Sequence, residues 1–179
     1  MSKDAAVTKD LMQTLEDGRD GFAAGADKLE KDGEGALAQT FRELGTQRGQ
    51  LSDELQQIAA TYGDDIDEDG TVTAKVHRGW MAVKDALSGS DPHGVLDAAE
   101  QGEDHAVSEY EKALDEDISP EFKTVLQRQL TQIRAAHDQV KALRDAHKKA
   151  TLTSRRRSQV GSSGSRRPPG PQRLAQVDQ

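Results

Sequence analysis

A chain of 179 residues has room for one domain and an appendage, and its composition is spare: 34% hydrophobic, 3% aromatic and no cysteine. Disulfides, thiol nucleophiles and cysteine-based zinc sites are thereby excluded, and no apolar run is long enough to predict a membrane-spanning helix. The formal charge of −8 is unevenly divided, since residues 151–179 set six arginines against Asp178 for a net +5 and leave −13 on the rest, which argues against nucleic-acid binding by the fold itself.

The apolar spacing predicts a first helix over about Thr8–Lys31, with Leu11, Leu15, Phe22 and Leu29 on its inner stripe. Gly18, Gly21 and Gly25 are each about 1 kcal/mol worse than alanine in a helix interior, so a neighbouring helix is expected to come close there. Lys31-Asp32-Gly33 is a stop, with Gly33 in the position that favours positive φ. A second helix is predicted over about Glu34–Tyr62, and the short connection implies an antiparallel hairpin. An acidic, Gly-rich loop spans 63–71. A short crossover helix is predicted over about Thr73–Ser88, with Val76, Trp80, Val83 and Leu87 on one face. Asp91-Pro92 and Ser119-Pro120 then repeat one grammar, a capping side chain followed by proline at the first helical position. They open helices predicted to run to about Glu116 and about Lys149. The fold class is therefore all-α: an antiparallel four-helix bundle over 1–150, with a short crossover helix between the second and fourth predicted helices. From Thr151 the chain turns basic, then Gly/Ser-rich, then Pro-rich, and residues 151–179 are predicted to be a disordered tail.

Three ionisable residues fall where the stripes should be apolar. Arg48 interrupts Leu37, Phe41, Leu44, Leu51, Leu55 and Ile58. Glu103 interrupts Leu96, Ala99, Ala106 and Tyr110. His137 interrupts Leu126, Leu130, Ile133 and Val140. Burying one charge costs several kcal/mol unless it is paired, so Arg48, Glu103 and His137 are predicted to meet as one buried polar cluster. Glu16 and Asp17 lie beside the first stripe, within reach of that cluster or on a solvated flank, and His105 is read as surface. In the acidic loop, Asp65, Asp67 and Asp69 precede Gly70 as in the front half of an EF-hand. Val76 stands where the bidentate glutamate belongs, so the loop is expected to bind Ca²⁺ no better than about millimolar.

A series of short motifs falls in order along the chain: Thr14-Leu15-Glu16-Asp17-Gly18 with Gly21-Phe22, His77-Arg78-Gly79-Trp80-Met81, Gly102-Glu103-Asp104 with Tyr110, Gln127-Arg128-Gln129, Ala136-His137-Asp138 and Leu143-Arg144-Asp145. With these the sequence resembles a bacterial four-helix-bundle family of unknown function in the ferritin-like superfamily, over about residues 5–148. The resemblance implies a bundle with one long crossover and raises the question of a di-metal centre. Such a centre needs Glu-x-x-His on two helices. Ala74, Ser90, Gly102, Arg134 and Arg144 stand three residues before the five histidines, so no such pair exists. No metal and no cofactor are therefore expected. The function read from the sequence is that of a non-enzymatic, soluble bundle acting through protein interaction or self-association. The superfamily analogy adds a tie to stress physiology. The alternative is a metal-dependent oxidase or metal-storage protein. The opening MSKDAAVTKD lacks the pattern of a secretion signal, so a cytoplasmic location is expected. The basic tail is expected to touch anionic surfaces weakly, with no specific nucleic acid as partner.

Overall fold

The computed structural model describes residues 3–61, 87, 89 and 91–161, of which 158–161 are described by backbone alone. Four helices carry the fold: α1 (Lys3–Lys31), α2 (Gly35–Thr61), α3 (Pro92–Asp115) and α4 (Pro120–Gly161). Among the described residues there is no strand.

The helix ends follow the local chemistry. Gly33 takes φ +82°, the amide of Glu34 reaches back to the carbonyl of Leu29 at 2.8 Å, and that of Gly33 reaches Glu30 at 3.1 Å. This closes α1 and turns the chain directly into α2. Asp91 caps α3 by accepting from the amide of Gly94 at 2.8 Å, with Pro92 at the first helical position. That bond holds the Asp91 carboxyl below the usual carboxylate range. Ser119 caps α4, its Oγ accepting from the amide of Phe122 at 3.3 Å. α1 begins five residues before the predicted start. Asp4 is buried there, and its carboxylate accepts from the amide and hydroxyl of Ser119 at 2.9 and 2.5 Å. A tertiary anchor, invisible in the local pattern, thus holds the first turn.

These contacts fix the topology. The start of α1 meets the α3–α4 corner, where Lys3 also pairs with Glu116 at 2.7 Å. The α1–α2 corner meets the later part of α4, with Glu34 at 3.7 Å from His147. Hence α1 and α4 run one way, and α2 and α3 the other. The chain leaves α2 at one end of the bundle and re-enters at Asp91 at the opposite end, so residues 62–90 make the long return that the two-hairpin reading anticipates. The predicted crossover helix and the acidic loop with Asp65, Asp67 and Asp69 lie outside the described residues, apart from Leu87, which is buried in the core.

The core falls into two apolar clusters. One gathers Leu11, Leu15, Leu51, Leu55, Tyr110, Phe122, Leu126 and Ile133. The other gathers Phe22, Leu29, Phe41, Leu44, Val95, Leu96 and Val140, with the Phe22 and Phe41 rings edge to face at 5.3 Å. Gly25 makes that second cluster possible. A β-carbon on Gly25 would stand 2.8 Å from the Phe41 ring, so only glycine lets the ring lie against α1.

One expectation is corrected. Residues 151–161, predicted to be disordered, continue α4. Neither glycine nor proline occurs between Glu121 and Val160, so nothing stops a helix that the bundle has already nucleated, and each further residue adds a bond without a new nucleus. Residues 162–179 lie outside the described set. Because side chains 151–157 are all exposed, ending the chain after Ala150 should lower the helical circular dichroism signal yet move the melting temperature by less than about 2 °C. Thermal unfolding of the two chains at equal concentration checks this.

Candidate functional site

Arg48 lies on α2 between Leu44 and Leu51, and Glu103 on α3 between Ala99 and Ala106. Their side chains meet in the interior as an ion pair, 1% and 2% exposed, with Nη2 donating to Oε2. The pair sits at the level that separates the two apolar clusters. Its surroundings are apolar on most sides: the guanidinium carbon stands 6.0 Å from the Phe22 ring centroid. A β-carbon on Gly18 would lie 3.5 Å from Arg48 Cδ, an ordinary van der Waals contact, so the arginine stem packs closely along α1 there. Burial drives the Glu103 carboxyl above its ordinary 4.5, and the Arg48 charge and hydrogen bond oppose that shift without cancelling it. Arg48 Nη1 has a long contact to Gln47 Oε1 at 3.5 Å, and Arg48 Nε is buried with no acceptor among the described residues.

His137 does not join the pair. It is half-buried, its Nε2 2.9 Å from Asp104 Oδ1 and its Nδ1 3.2 Å from Asp138 Oδ1, and its positive form acts on Glu103 only through space. The reason is angular. Counting from Ile133, both 136 and 137 are near the inner face, and Ala136 takes the buried place at 3% exposure. Asp17 is half-buried and accepts from Gln13 Nε2 at 3.0 Å; burial raises its carboxyl above the ordinary 3.8. Glu16 is likewise half-buried, and His105 is exposed.

A second polar knot was not read from the sequence as a site. Tyr110 donates to Gln129 Oε1 at 2.7 Å, and Gln129 Nε2 donates to the Leu51 carbonyl at 3.2 Å and to Glu54 Oε2 at 2.7 Å. Gln129 is fully buried. Its signal was present, three residues after Leu126 on the inner face of α4. Burial also pushes the Tyr110 hydroxyl well above its usual range.

Beside the ion pair, between α1 and α3, lies a cavity of about 380 Å³. Phe22, Phe41, Val95, Ala98 and Ala99 form apolar walls, Gly18, Gly21, Gly25 and Gly102 leave the space open, and Arg48 and Glu103 border it. Among the described residues no three His, Asp or Glu side chains gather as a metal-binding set, and no helix is long and apolar enough to cross a membrane. The site can hold an oriented, desolvated charge pair against an apolar space.

An all-α bundle with a charge pair at its centre is a class of protein rather than an activity. Within that class, residues 5–116 match the family described as a domain of unknown function, DUF2383, and the chain belongs to that family. The match takes in α1, α2 and α3, and so both members of the ion pair, and it ends before α4. No curated protein matches the chain.

Two outcomes follow from the pair. Arg48→Ala and Glu103→Ala should each cost about 3–5 kcal/mol, because each strands a buried charge, while Arg48→Met with Glu103→Leu should recover much of the loss. Urea unfolding in a double-mutant cycle reads the coupling, and strictly additive losses would show that the two residues act independently. The second concerns pH. A carboxyl whose folded value is raised binds its proton more tightly in the folded state. Its stabilising contribution is complete below the unfolded value near 4.5 and is lost as pH rises through the folded value. Wild type should therefore lose stability relative to Glu103→Gln as pH rises above about 4.5, measured by urea unfolding from acid to neutral pH.

Proposed function

We propose that this protein is a non-enzymatic bundle of ferritin-like architecture that works by associating with an acidic protein surface, of which the body of a second copy is the nearest example. The topology, with its long return between α2 and α3, supports the architecture. The observation that carries the association is the projection of α4. His93 and His147 stack with ring centroids 6.3 Å apart near that end of the bundle. Beyond them Lys148, Lys149, Arg155 and Arg156 share one face with Leu152, and every described side chain there is exposed. At 59% exposure Leu152 is an uncovered large apolar residue in the middle of a cationic face. That face bears charge opposite to that of residues 1–147, whose 16 basic and 31 acidic residues give −15. One leucine is too little apolar area for a helix that lies in a bilayer surface, whereas charge complementarity with a protein flank needs none.

A di-metal oxidase or storage role has no donor set among the described residues to support it. The association is tested by sedimentation velocity across micromolar concentrations at about 50 and about 300 mM salt, since surface charge pairing weakens as screening increases. Self-association at low salt that disappears in Arg155→Ala/Arg156→Ala/Arg157→Ala, or the same behaviour in binding to poly-glutamate, is expected. A chain that stays monomeric and ignores poly-glutamate, or that binds duplex DNA more tightly than poly-glutamate, would overturn the reading.

A further inference from the structure

Two described residues mark the end of the crossover. Leu87 is helical and 7% exposed, packs in the core cluster of Phe22, Phe41 and Val95, and forms part of the wall of the groove between α1 and α3. Gly89, two residues on, has φ +78°, the left-handed conformation in which helices close. A helical segment thus ends with its last apolar side chain already in the groove. On the predicted crossover helix the residues that share a face with Leu87 are Val83, Trp80 and Val76. That stripe is about 16 Å long, and the α3 wall of the groove, from Val95 to Ala106, covers as many positions and so the same length. The direction agrees. The chain leaves Thr61 at the end where α3 finishes and must reach Asp91, where α3 begins, so it passes α3 in the antiparallel sense. Leu87 at the level of Val95 then brings Val83 to Ala99, Trp80 to Gly102 and Val76 to Ala106.

We propose that the groove between α1 and α3 is the docking site of residues 73–86 of this same chain, with the Trp80 ring seated over Gly102 and its indole N–H donating to Asp17. The seat suits that side chain. The cavity holds about 380 Å³ beside apolar walls, and a β-carbon on Gly102 would meet nothing within 4 Å among the described residues. A buried indole needs an acceptor for its one N–H. Asp17 borders the same cavity, and its hydrogen bond from Gln13 falls on Oδ1, which leaves Oδ2 to accept. This docking is made within one chain and is independent of the association proposed for α4.

Trp80 is the only tryptophan, so fluorescence of the full chain reports this seat alone. The folded protein should show blue-shifted emission and several-fold weaker quenching by acrylamide than the urea-unfolded chain, both unchanged on dilution. Gly102→Phe, which fills the seat, should move the emission to the red while the helical circular dichroism signal holds. The register is read separately, because the chain has no native cysteine. Under mild oxidation Val83→Cys/Ala99→Cys should close a disulfide within the chain, whereas Val76→Cys/Ala99→Cys, about 10 Å out of register, should not. Folded-state emission at the unfolded position overturns the docking, as does a first cysteine pair that stays reduced. Emission that stays blue in folded Gly102→Phe overturns the seat of Trp80. Disulfides that form only between chains would give the groove to a second copy and overturn the proposal equally.

Discussion

The rest of the fold depends on one constraint, that Arg48 and Glu103 must find each other away from water. Burying either residue alone would take a large share of the bundle's stability. An uncompensated buried charge is worth about 3–5 kcal/mol, against a total stability of about 5–15 kcal/mol for a domain of this size. Sliding α2 past α3 by one turn, about 5.4 Å, would break the pair while leaving apolar side chains facing apolar side chains. The apolar stripes of the bundle tolerate several registers; the ion pair tolerates one. The buried knot of Tyr110, Gln129 and the Leu51 carbonyl does for α4 what the ion pair does for α2 and α3, because each of its groups is satisfied only in the observed alignment.

The glycines of α1 are not alike. Gly25 faces a phenylalanine ring that alanine would displace, whereas a β-carbon on Gly18 would make only ordinary contact with the arginine stem. Each glycine weakens the helix by about 1 kcal/mol, and at Gly25 the opposing ring requires it. Gly102 on α3 is different. Among the described residues nothing opposes it, and it borders the cavity. The two kinds of glycine separate a position required by packing from one left open.

Much of this was legible in the sequence, for identifiable reasons. The Asp91-Pro92 and Ser119-Pro120 caps and the Gly33 stop are local, governed by one side chain and the next few amides, and the helix ends they mark agree to within a residue or two. Arg48 and Glu103 were legible as interruptions of a stripe because both sit at its centre. His137 was misplaced because the 3,4 alternation is coarse: two adjacent residues of α4 compete for one inward place, and the smaller took it. Asp4 and Ser119 could not be paired from the sequence, since their contact spans 115 positions and follows only from the topology. The α4 extension was missed because its polar, arginine-rich composition matches a solvated tail, whereas helix propagation responds to the absence of glycine and proline.

That extension also shows how topology distributes charge. α1 and α4 run in the same direction, so the end of α4 passes the α1–α2 corner, where His147 stands near Glu34, and continues to Gly161. Before that corner the three α4 arginines are matched across helices: Arg128 with Glu54, Arg134 with Glu111 and Arg144 with Glu100. After it come Lys148, Lys149 and Arg155–Arg157, with no acidic residue from Ala146 to Gly161. Within the bundle, each of these basic side chains is used to hold one helix to another. Beyond it, the same helix repeats the basic chemistry with no carboxylate of its own to answer it, and the surplus of acids sits on the flanks of the body. A helix so charged is opposite in sign to the body it has just left, and the proposed association rests on that contrast.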